Sequence, residues 1–346
     1  MLGALKKRIE PSFYRIVRKA ADHAIIRHDP VLAGLAPYRE RAMHKTKQRF
    51  YPELEPLHSK IIERDSEAIA RFDALIADAM AAMRAERPND GVRQGLLDPL
   101  PFLSMLDRFL YRDDPEWLDD PNFPEHKRTE LLDRLDVLNH ALGTYDAFIA
   151  KLRPLVDELS AKNTAKSVRI HDLASGHAGF ALRIKQEFGE RVVVEASDIR
   201  PEYLEMGRRR AQEMGLGLEF YVEDALSMDG VRERGVDIVT CTQSIHHFPP
   251  GMVARMIGEA SRAASHALLF IDGERSLLGL SMFLPAGIFV GRNLGLLRDG
   301  IVSLRRMYYK EELALLAALA PGVPQGARCI TETMGPAHGY LLLTHG

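Results

Sequence analysis

The stretch "SVRIHDLASGHAGFALRIKQEF" (residues 167–188) predicts the fold of this chain. An apolar run ends at Asp172, passes through two glycines among small residues, and becomes a helical pattern. A strand, a tight loop and a helix N-terminus in this order bring backbone N–H groups close to a ligand. The glycine spacing fits neither the dinucleotide pattern G-x-G-x-x-G nor the phosphate loop G-x-x-x-x-G-K-S/T. The stretch therefore indicates a nucleotide-like ligand and leaves its identity open.

More strand-like runs follow, and helical segments separate them. The runs are "RVVVEASD", "LEFYVED", "VDIVTCTQ" and "HALLFIDG", and the helical segments begin near Ala178, Pro201, Ser227 and Pro249. Alternating strands and helices are typical of βαβ units with right-handed crossovers. We therefore predict a doubly wound, mostly parallel α/β sheet, which binds ligands outside the carboxyl ends of its strands.

Polar and small residues follow the first four strands, all at the predicted ligand-binding edge. Asp172 ends the first strand and Asp198 ends the second, where an acid can accept both hydroxyls of a ribose. Asp224 and Ala225 follow the third strand, where a short acid could accept a hydrogen bond from an exocyclic amine. The fourth strand leads into "TQSIHHF". Since these positions share one edge of the sheet, we expect them to line one pocket.

The order of these segments resembles the class I S-adenosylmethionine-dependent methyltransferases. The resemblance is close over residues 165–275, and the phrases D-I-x-P-x-x-L, E-D-A and the histidine pair are shared with the ubiquinone/menaquinone-type small-molecule branch. "LNHALGTYDAF" and "DGIVSLRRMYYKEEL" are similar to bacterial methyltransferases associated with polyketide and other secondary-metabolite genes. The resemblance implies S-adenosylmethionine as cofactor and a Rossmann-like, seven-stranded, mostly parallel sheet with an antiparallel last strand.

The resemblance also implies roles for individual residues around the cofactor. Asp172 would orient the methionine amino group, Asp198 would hold the ribose hydroxyls, and Asp224 would bind the adenine amine. The other cofactor contacts that we expect are Ala174, Ser175, Gly176, Gly179, Ile199, Ala225 and Gln243.

The loop departs from the usual pattern of the family. The motif D-x-G-x-G-x-G reads D-x-A-x-G-x-A here, with alanine at positions 174 and 178 and glycine kept at Gly176. Alanine is tolerated at these two positions if the backbone keeps a negative φ. Negative φ angles at Ala174 and Ala178 are therefore an expectation of this assignment.

Methyl transfer from a sulfonium depends mainly on alignment and desolvation of the two partners. A general base is needed if the acceptor is a hydroxyl, an acidic carbon or a protonated amine. His246 and His247 are the candidates because histidine titrates near neutral pH, and each could instead cap or pack beneath the loop. The residues that we expect at the acceptor are Tyr145, His247, Arg305 and Tyr308.

The sequence gives little reason to expect a metal. Asp272 and Glu274 follow the fifth strand and could join His246, but no ligand spacing of a known metal motif is present. We therefore predict no metal site. The acidic segment 113–125 is expected to be a solvated connector.

The chain divides into three parts by pattern. We predict an α-helical N-terminal domain over residues 1–112, a helical segment over 113–166 that covers the cofactor site, and a methyltransferase domain over 167–346. Periodic apolar residues predict one helix in 58–86 and one in 129–159. The apolar segment 275–308 would either cover the acceptor as a lid or pack against the N-terminal helices.

Composition and charge narrow the class of protein. Two cysteines give no disulfide framework, and Pro11 with nearby basic residues argues against a signal peptide, so we expect a cytoplasmic protein. Residues 1–50 hold twelve Lys/Arg against four Asp/Glu although the whole chain carries −2. This basic end could pack on its own domain, form a homodimer or touch an anionic membrane peripherally.

Three functions stay open at this point. A methyltransferase for a small, fairly apolar acceptor is favoured, with a phenolic or enolic oxygen or an activated carbon receiving the methyl group and no nucleic acid as partner. RNA or protein methylation is the second, although "TQSIHHF" lacks the Asn/Asp-Pro-Pro-aromatic signature of base-amine methylation. The third is a non-catalytic scaffold that binds S-adenosylmethionine.

Overall fold

The structure is a computed structural model that describes residues 30–86, 105, 109–120, 122–162, 166–275, 294–335 and 338–345. Two predicted features lie outside the described residues: most of the basic N-terminal segment (residues 1–29) and most of the predicted lid (residues 276–293). No helix within the described ranges is both long and apolar enough to cross a membrane.

A seven-stranded sheet forms the centre of the fold, in the order β3-β2-β1-β4-β5-β7-β6. Strands β1 to β5 pair in parallel, and β7 lies antiparallel between β5 and β6. This confirms the predicted α/β class and its antiparallel last strand. The strands are β1 (Val168–Leu173), β2 (Val192–Asp198), β3 (Glu219–Val222), β4 (Val236–Thr242), β5 (Ala264–Gly273), β6 (Arg328–Met334) and β7 (His338–Thr344).

Helices cover both faces of the sheet. The first three are α1 (Pro30–Leu54), α2 (His58–Ile62) and α3 (Ser66–Ala85), and α4 (Glu125–Ala141) and α5 (Thr144–Lys162) precede β1. The remaining helices are α6 (Gly179–Phe188), α7 (Pro201–Glu213), α8 (Asp229–Arg234), α9 (Pro250–Ala263), α10 (Leu294–Arg306) and α11 (Lys310–Leu319).

Both predicted long helical runs are interrupted, and the backbone explains each break. Gly143 adopts φ 67° and ends α4 before α5 begins, so residues 129–159 form parts of two helices. Arg64 adopts φ 63° after α2, and Asp65 then caps α3 by accepting hydrogen bonds from the backbone N–H groups of Glu67 and Ala68. The apolar periodicity continues through both breaks, which is why the sequence pattern did not reveal them.

The two faces of the sheet are buried by different helices. Ile170 and Val194 occupy paired positions on neighbouring strands and pack with Phe148 and Ile184 of α5 and α6. Val239 and Leu268 are paired on the other face and lie in one cluster with Ile257 of α9. Parallel strands that are buried on both faces need such continuous apolar runs.

The N-terminal helices extend the second of these clusters. Phe72 and Ile76 of α3 are fully buried in the same cluster as α9 and α11. Arg255 of α9 also pairs with Asp73 at 2.9 Å. Residues 30–85 are therefore packed onto the helical layer that covers one face of the sheet.

Candidate active site

A cavity of about 380 Å³ opens at the carboxyl ends of β1, β2 and β4. Its volume is in the range of small-ligand sites. The cavity is lined by residues after each of these strands and by residues of α4 and α5. Eleven residues expected to contact cofactor or acceptor lie on its wall: Tyr145, Ala174, Ser175, Gly176, Gly179, Asp198, Ile199, Asp224, Ala225, Gln243 and His247.

The structure places Asp172 beneath the cavity rather than on its wall. Its side chain is buried among the strands and accepts a hydrogen bond from the Thr240 hydroxyl at 2.7 Å. Burial raises the pKa of Asp172 to about 7. This carboxyl supports the first strand–loop junction in the structure, and its role toward the methionine amino group stays a prediction.

Arg305 and Tyr308 also lie away from the cavity. Arg305 Nε donates to the Leu110 carbonyl at 3.1 Å and thereby holds residues 109–110 on α10. Tyr308 is buried and donates its hydroxyl to the Phe248 carbonyl at 2.8 Å. Their polar groups donate to backbone carbonyls, so in this structure both residues support the wall, and their contact with an acceptor stays a prediction.

In the loop after β1, every second residue from 174 to 178 has a positive φ in the left-handed region. Ala174 has φ 49°, Gly176 φ 55° and Ala178 φ 61°. The expectation of negative φ at the two alanines was therefore wrong. Hydrogen bonds impose this shape: Ser175 N donates to the Ser197 carbonyl at 2.8 Å, and Ser244 Oγ donates to the Ala174 carbonyl at 2.9 Å.

This strain gives a testable stability prediction. A left-handed alanine costs about 1–2 kcal/mol relative to glycine, and glycine loses roughly 0.4–1 kcal/mol through greater freedom of the unfolded chain. We expect Ala174→Gly to raise the free energy of unfolding by about 0.5–1 kcal/mol, measured by urea denaturation without ligand. Ala147→Gly in helix α5 is the control and should be destabilising. A loss of stability in Ala174→Gly like that of the control would contradict the strained conformation.

Asp198 holds the loop and the start of α7 with its two carboxylate oxygens. Oδ2 accepts from Gly176 N and Oδ1 accepts from Arg200 N, both at 2.9 Å. The side chain is mostly buried, and this burial raises its pKa although the backbone N–H groups of Arg200, Gly176 and Ile199 and the charge of Arg200 lower it. A carboxylate has about four lone-pair sites, so acceptor capacity remains for a ligand hydroxyl at this wall.

The adenine side that the resemblance implies is more open. Asp224 is exposed and accepts a hydrogen bond from Leu226 N at 2.9 Å through Oδ1, whereas Ala225 beside it is buried. Ile199 is 65% exposed although it lies on the cavity wall. The exposed Ile199 side chain could therefore cover one face of an adenine ring bound at this wall.

Helix α4 closes the cavity through a reciprocal amide pair. Asn139 Nδ2 donates to Gln243 Oε1 at 2.8 Å, and Gln243 Nε2 donates to Asn139 Oδ1 at 3.0 Å. Gln243 has φ 56°, and its backbone N–H donates to the Ile271 carbonyl at 2.8 Å. Because Gln243 has a strained backbone and exchanges two hydrogen bonds with Asn139, it holds α4 over the cavity.

Tyr145 closes the same wall from α5. Its hydroxyl donates to Asp136 Oδ1 at 2.9 Å, and Asp136 also pairs with Arg210 of α7. Burial and the Asp136 carboxylate raise the pKa of Tyr145 well above its usual value. A Cβ at Gly179 would collide with both Tyr145 and Asp136, so glycine there allows the close approach.

The two histidines after β4 differ in their surroundings. His246 is buried off the cavity wall, with Nδ1 at 2.9 Å from both carboxylate oxygens of Asp272. Burial would lower its pKa, but Asp272 and Glu116 outweigh burial and raise the pKa of His246 to about 9. His247 lies on the wall with Nδ1 at 2.8 Å from Asp119 Oδ1.

The acidic segment 113–125 is mostly exposed, as its composition predicts, but Glu116 within it is buried and the segment is tied to α10. Glu116 is 3% exposed, and the backbone N–H groups of Trp117 and Leu118 donate to Asp299 of α10. Asp119 lies on the cavity wall and pairs with Arg306 as well as His247. His247 and Arg306 lower the pKa of Asp119 against the effect of burial. The segment therefore supplies charged groups to the histidine side of the cavity.

Residues 170–266 match a protein family that is described as a methyltransferase domain. No curated protein matches the chain in sequence. Among solved structures, the chain is similar to magnesium protoporphyrin IX methyltransferase from Synechocystis PCC 6803 with bound SAH, at 16% identity and TM-score 0.40 over 58% of this chain and 84% of that one. It is similar to the plantazolicin methyltransferase BamL in complex with SAH and a desmethyl analogue, at 11% identity and TM-score 0.48 over 66% and 92%. At such TM-scores these similarities do not define an acceptor.

Proposed function

We propose that the class I S-adenosylmethionine-dependent methyltransferase domain of this chain methylates a small, fairly apolar acceptor at a phenolic or enolic oxygen or an activated carbon. One observation carries the proposal: a single cavity reaches from Asp198 and Asp224 to Leu118, His247 and Phe248. Cofactor and acceptor could therefore meet in one cavity. The proposed setting is cytoplasmic secondary metabolism, as the sequence resemblance implies.

The residues of the cavity fit S-adenosylmethionine, which supplies a methyl group on a positively charged sulfur. Asp198 would accept the ribose hydroxyls through its remaining lone pairs, and Asp224 would accept from the adenine amine beside Ile199. Gln243 and Asn139 lie toward the methionine end in this arrangement. The cofactor has no phosphate groups, which agrees with a loop that matches neither phosphate-binding pattern.

The histidine side of the cavity suits an apolar acceptor. Leu118 and Phe248 line the cavity beside Asp119 and His247, and such side chains exclude water from the reacting groups. His247 and Asp119 are polar groups on this wall, and Asp119 fixes the orientation of the imidazole. Alignment of the acceptor by this wall is the contribution to catalysis that we propose for it.

The charges of the cavity wall favour a small molecule over RNA. Among the described residues, the wall carries the carboxylates of Asp119, Asp198, Glu223 and Asp224 and the guanidinium of Arg200. Arg306 and Arg234 pair with Asp119 and Glu223, which leaves Asp198 and Asp224 as the acidic groups facing a ligand. Phosphate backbones are bound by clustered Lys and Arg, and an acidic wall repels them.

The proposal predicts that the purified chain binds both S-adenosylmethionine and S-adenosylhomocysteine in calorimetry. Methyl transfer is then measured with isotope-labelled donor against a panel of phenols, enols and β-dicarbonyl compounds, with bulk RNA and a protein extract as competing acceptors. We expect label in small molecules. Absence of heat with either ligand at millimolar concentration would contradict the cofactor site. Label found only in RNA or protein would contradict the small acceptor.

A further inference from the structure

Three possible ligand atoms converge where β4 and the segment 113–125 meet. Glu116 Oε1 lies 3.5 Å from His246 Nε2 and 3.9 Å from His247 Nδ1. Ligand atoms of all three residues lie within 4.8 Å of one another. Zinc bonds of about 2.0–2.2 Å to nitrogen and oxygen place tetrahedral ligand atoms roughly 3.3–3.6 Å apart. The observed separations are close to that spacing.

The Glu116 carboxylate provides an independent reason to expect a ligand. Its side chain is 2% exposed, and Oε1 has no hydrogen-bond partner within the described part of the chain. Burial of an unsatisfied charged oxygen is costly because the lost hydration is not replaced. The orphaned oxygen is also the atom that faces both imidazoles.

The surroundings of His246 match those of a metal-binding histidine. The Asp272 carboxylate accepts hydrogen bonds from Nδ1 of His246 and from the backbone N–H of His246, both at 2.9 Å. This contact fixes the ring so that Nε2 faces Glu116. Ligating histidines commonly have their other ring nitrogen held by a carboxylate, which orients the ring and raises its basicity.

The charges around the cluster also favour a bound cation. Glu116, Asp119 and Asp272 are three carboxylates, and within the described residues Arg306 is paired with Asp119 and lies 3.7 Å from Glu116 and 3.4 Å from Asp113. The carboxylates therefore outnumber the guanidinium. A divalent cation would balance the excess negative charge, and a protonated His246 is the competing arrangement.

We propose that Glu116, His246 and His247 bind a first-row divalent cation of the zinc type, with His247 Nδ1 exchanging its contact with Asp119 for the cation. Two imidazoles with carboxylates favour zinc over magnesium or calcium, which prefer oxygen ligands throughout. Nothing in the sequence pattern led to this site, because Glu116 lies in a segment that composition predicts to be solvated.

The position of the site suggests what the cation would do, and this step rests on the proposed function. His247 lies on the cavity wall, so a cation bound to it would adjoin the acceptor. An open coordination position there would hold a phenolic or enolic oxygen by charge. The site therefore favours an oxygen-bearing acceptor over a purely carbon nucleophile.

The test uses Co²⁺ and Zn²⁺ alone with the full chain, after chelator treatment and without donor or acceptor. We expect one Co²⁺ per chain, with the strong visible absorption of a four- or five-coordinate site, and displacement of Co²⁺ by Zn²⁺. Glu116→Gln and His247→Gln should each lower the Co²⁺ affinity at least tenfold, and Asp272→Asn about 10–100-fold as a positioning residue. Glu130→Gln, at an exposed carboxylate of α4, is the matched control and should bind like the wild type.

The outcomes separate this proposal from the proposed function. S-adenosylhomocysteine calorimetry on the same samples reports folding and the cofactor site independently of metal binding, with Glu130→Gln as the variant expected to bind like the wild type. Cofactor binding without any Co²⁺ or Zn²⁺ binding would overturn the metal site and favour a protonated His246. Wild-type Co²⁺ affinity in both Glu116→Gln and His247→Gln would overturn it as well.

Discussion

Asp198→Ala is expected to weaken S-adenosylmethionine binding by about 1–3 kcal/mol, which corresponds to roughly 5–150-fold in Kd. The variant loses the acceptors proposed for two ribose hydroxyls. It also leaves Gly176 N and Arg200 N without the carboxylate that now accepts from both at 2.9 Å. Since the side chain is mostly buried, solvent cannot fully replace these contacts.

Calorimetry measures this loss, and two comparisons isolate its cause. Glu202→Ala removes an exposed carboxylate at the start of α7 and should leave the affinity unchanged. Urea unfolding of the ligand-free Asp198→Ala protein reports how much the loop itself is destabilised. An affinity equal to that of the wild type would show that the ribose does not lie at Asp198.

The fold could be predicted because its signals are local. Each buried strand is a continuous apolar run, and each crossover helix begins near a residue that the sequence marks, such as Pro201 and Pro249. The positions after the strands then follow from topology, since parallel strands present their carboxyl ends at one edge. This is why Asp198, Asp224 and Gln243 could be placed at a common site before any coordinates were considered.

The partners of the histidines could not be predicted, because they come from distant parts of the chain. Asp119 is 128 residues from His247, and Arg306 is a further 59 residues on. A run of acids with proline looks solvated when read alone, and most of it is exposed; the basic groups of α10 and the strand-four loop explain why Glu116 is buried and why Asp119 is paired.

The conformation of the loop after β1 was missed for a related reason. Alanine alone predicts a negative φ at Ala174 and Ala178. Hydrogen bonds from Ser244 and toward Ser197, both on neighbouring strands or loops, set the positive values instead. Tertiary contacts thus override the local preference where the chain passes the ligand.

Glu312→Ala is expected to lower the free energy of unfolding by about 3–5 kcal/mol, because removal of one partner leaves buried charges uncompensated. Glu312 of α11 is 1% exposed and accepts hydrogen bonds from Arg84 Nε at 2.6 Å and Arg275 Nη2 at 3.0 Å. It also accepts from Tyr309 N at 2.9 Å and so caps its own helix. Since Arg84 belongs to α3, the variant should loosen the N-terminal helices from the sheet domain.

The same carboxylate predicts an acid dependence of stability. Burial alone would raise the pKa of Glu312, but Arg275 and Arg84 outweigh burial and lower it from 4.5 to about 2. A carboxyl whose pKa is lower in the folded than in the unfolded state stabilises the folded protein at pH values above its unfolded pKa. For Glu312 this stabilisation is about 3 kcal/mol, and it is lost as the pH falls from about 5 to about 2. Urea denaturation of the wild type across this range should therefore show a fall in unfolding free energy that includes this contribution.

Glu312→Gln separates the charge from the shape of the side chain. The amide can still accept hydrogen bonds from Arg84 and Arg275 but does not titrate. The unfolding free energy of the variant should therefore fall less steeply between pH 5 and 2 than that of the wild type, and the difference in slope corresponds to about one proton. Identical pH slopes for the wild type and Glu312→Gln would mean that Glu312 titrates normally. In that case the bond between α3 and α11 would contribute little to holding the N-terminal helices in place.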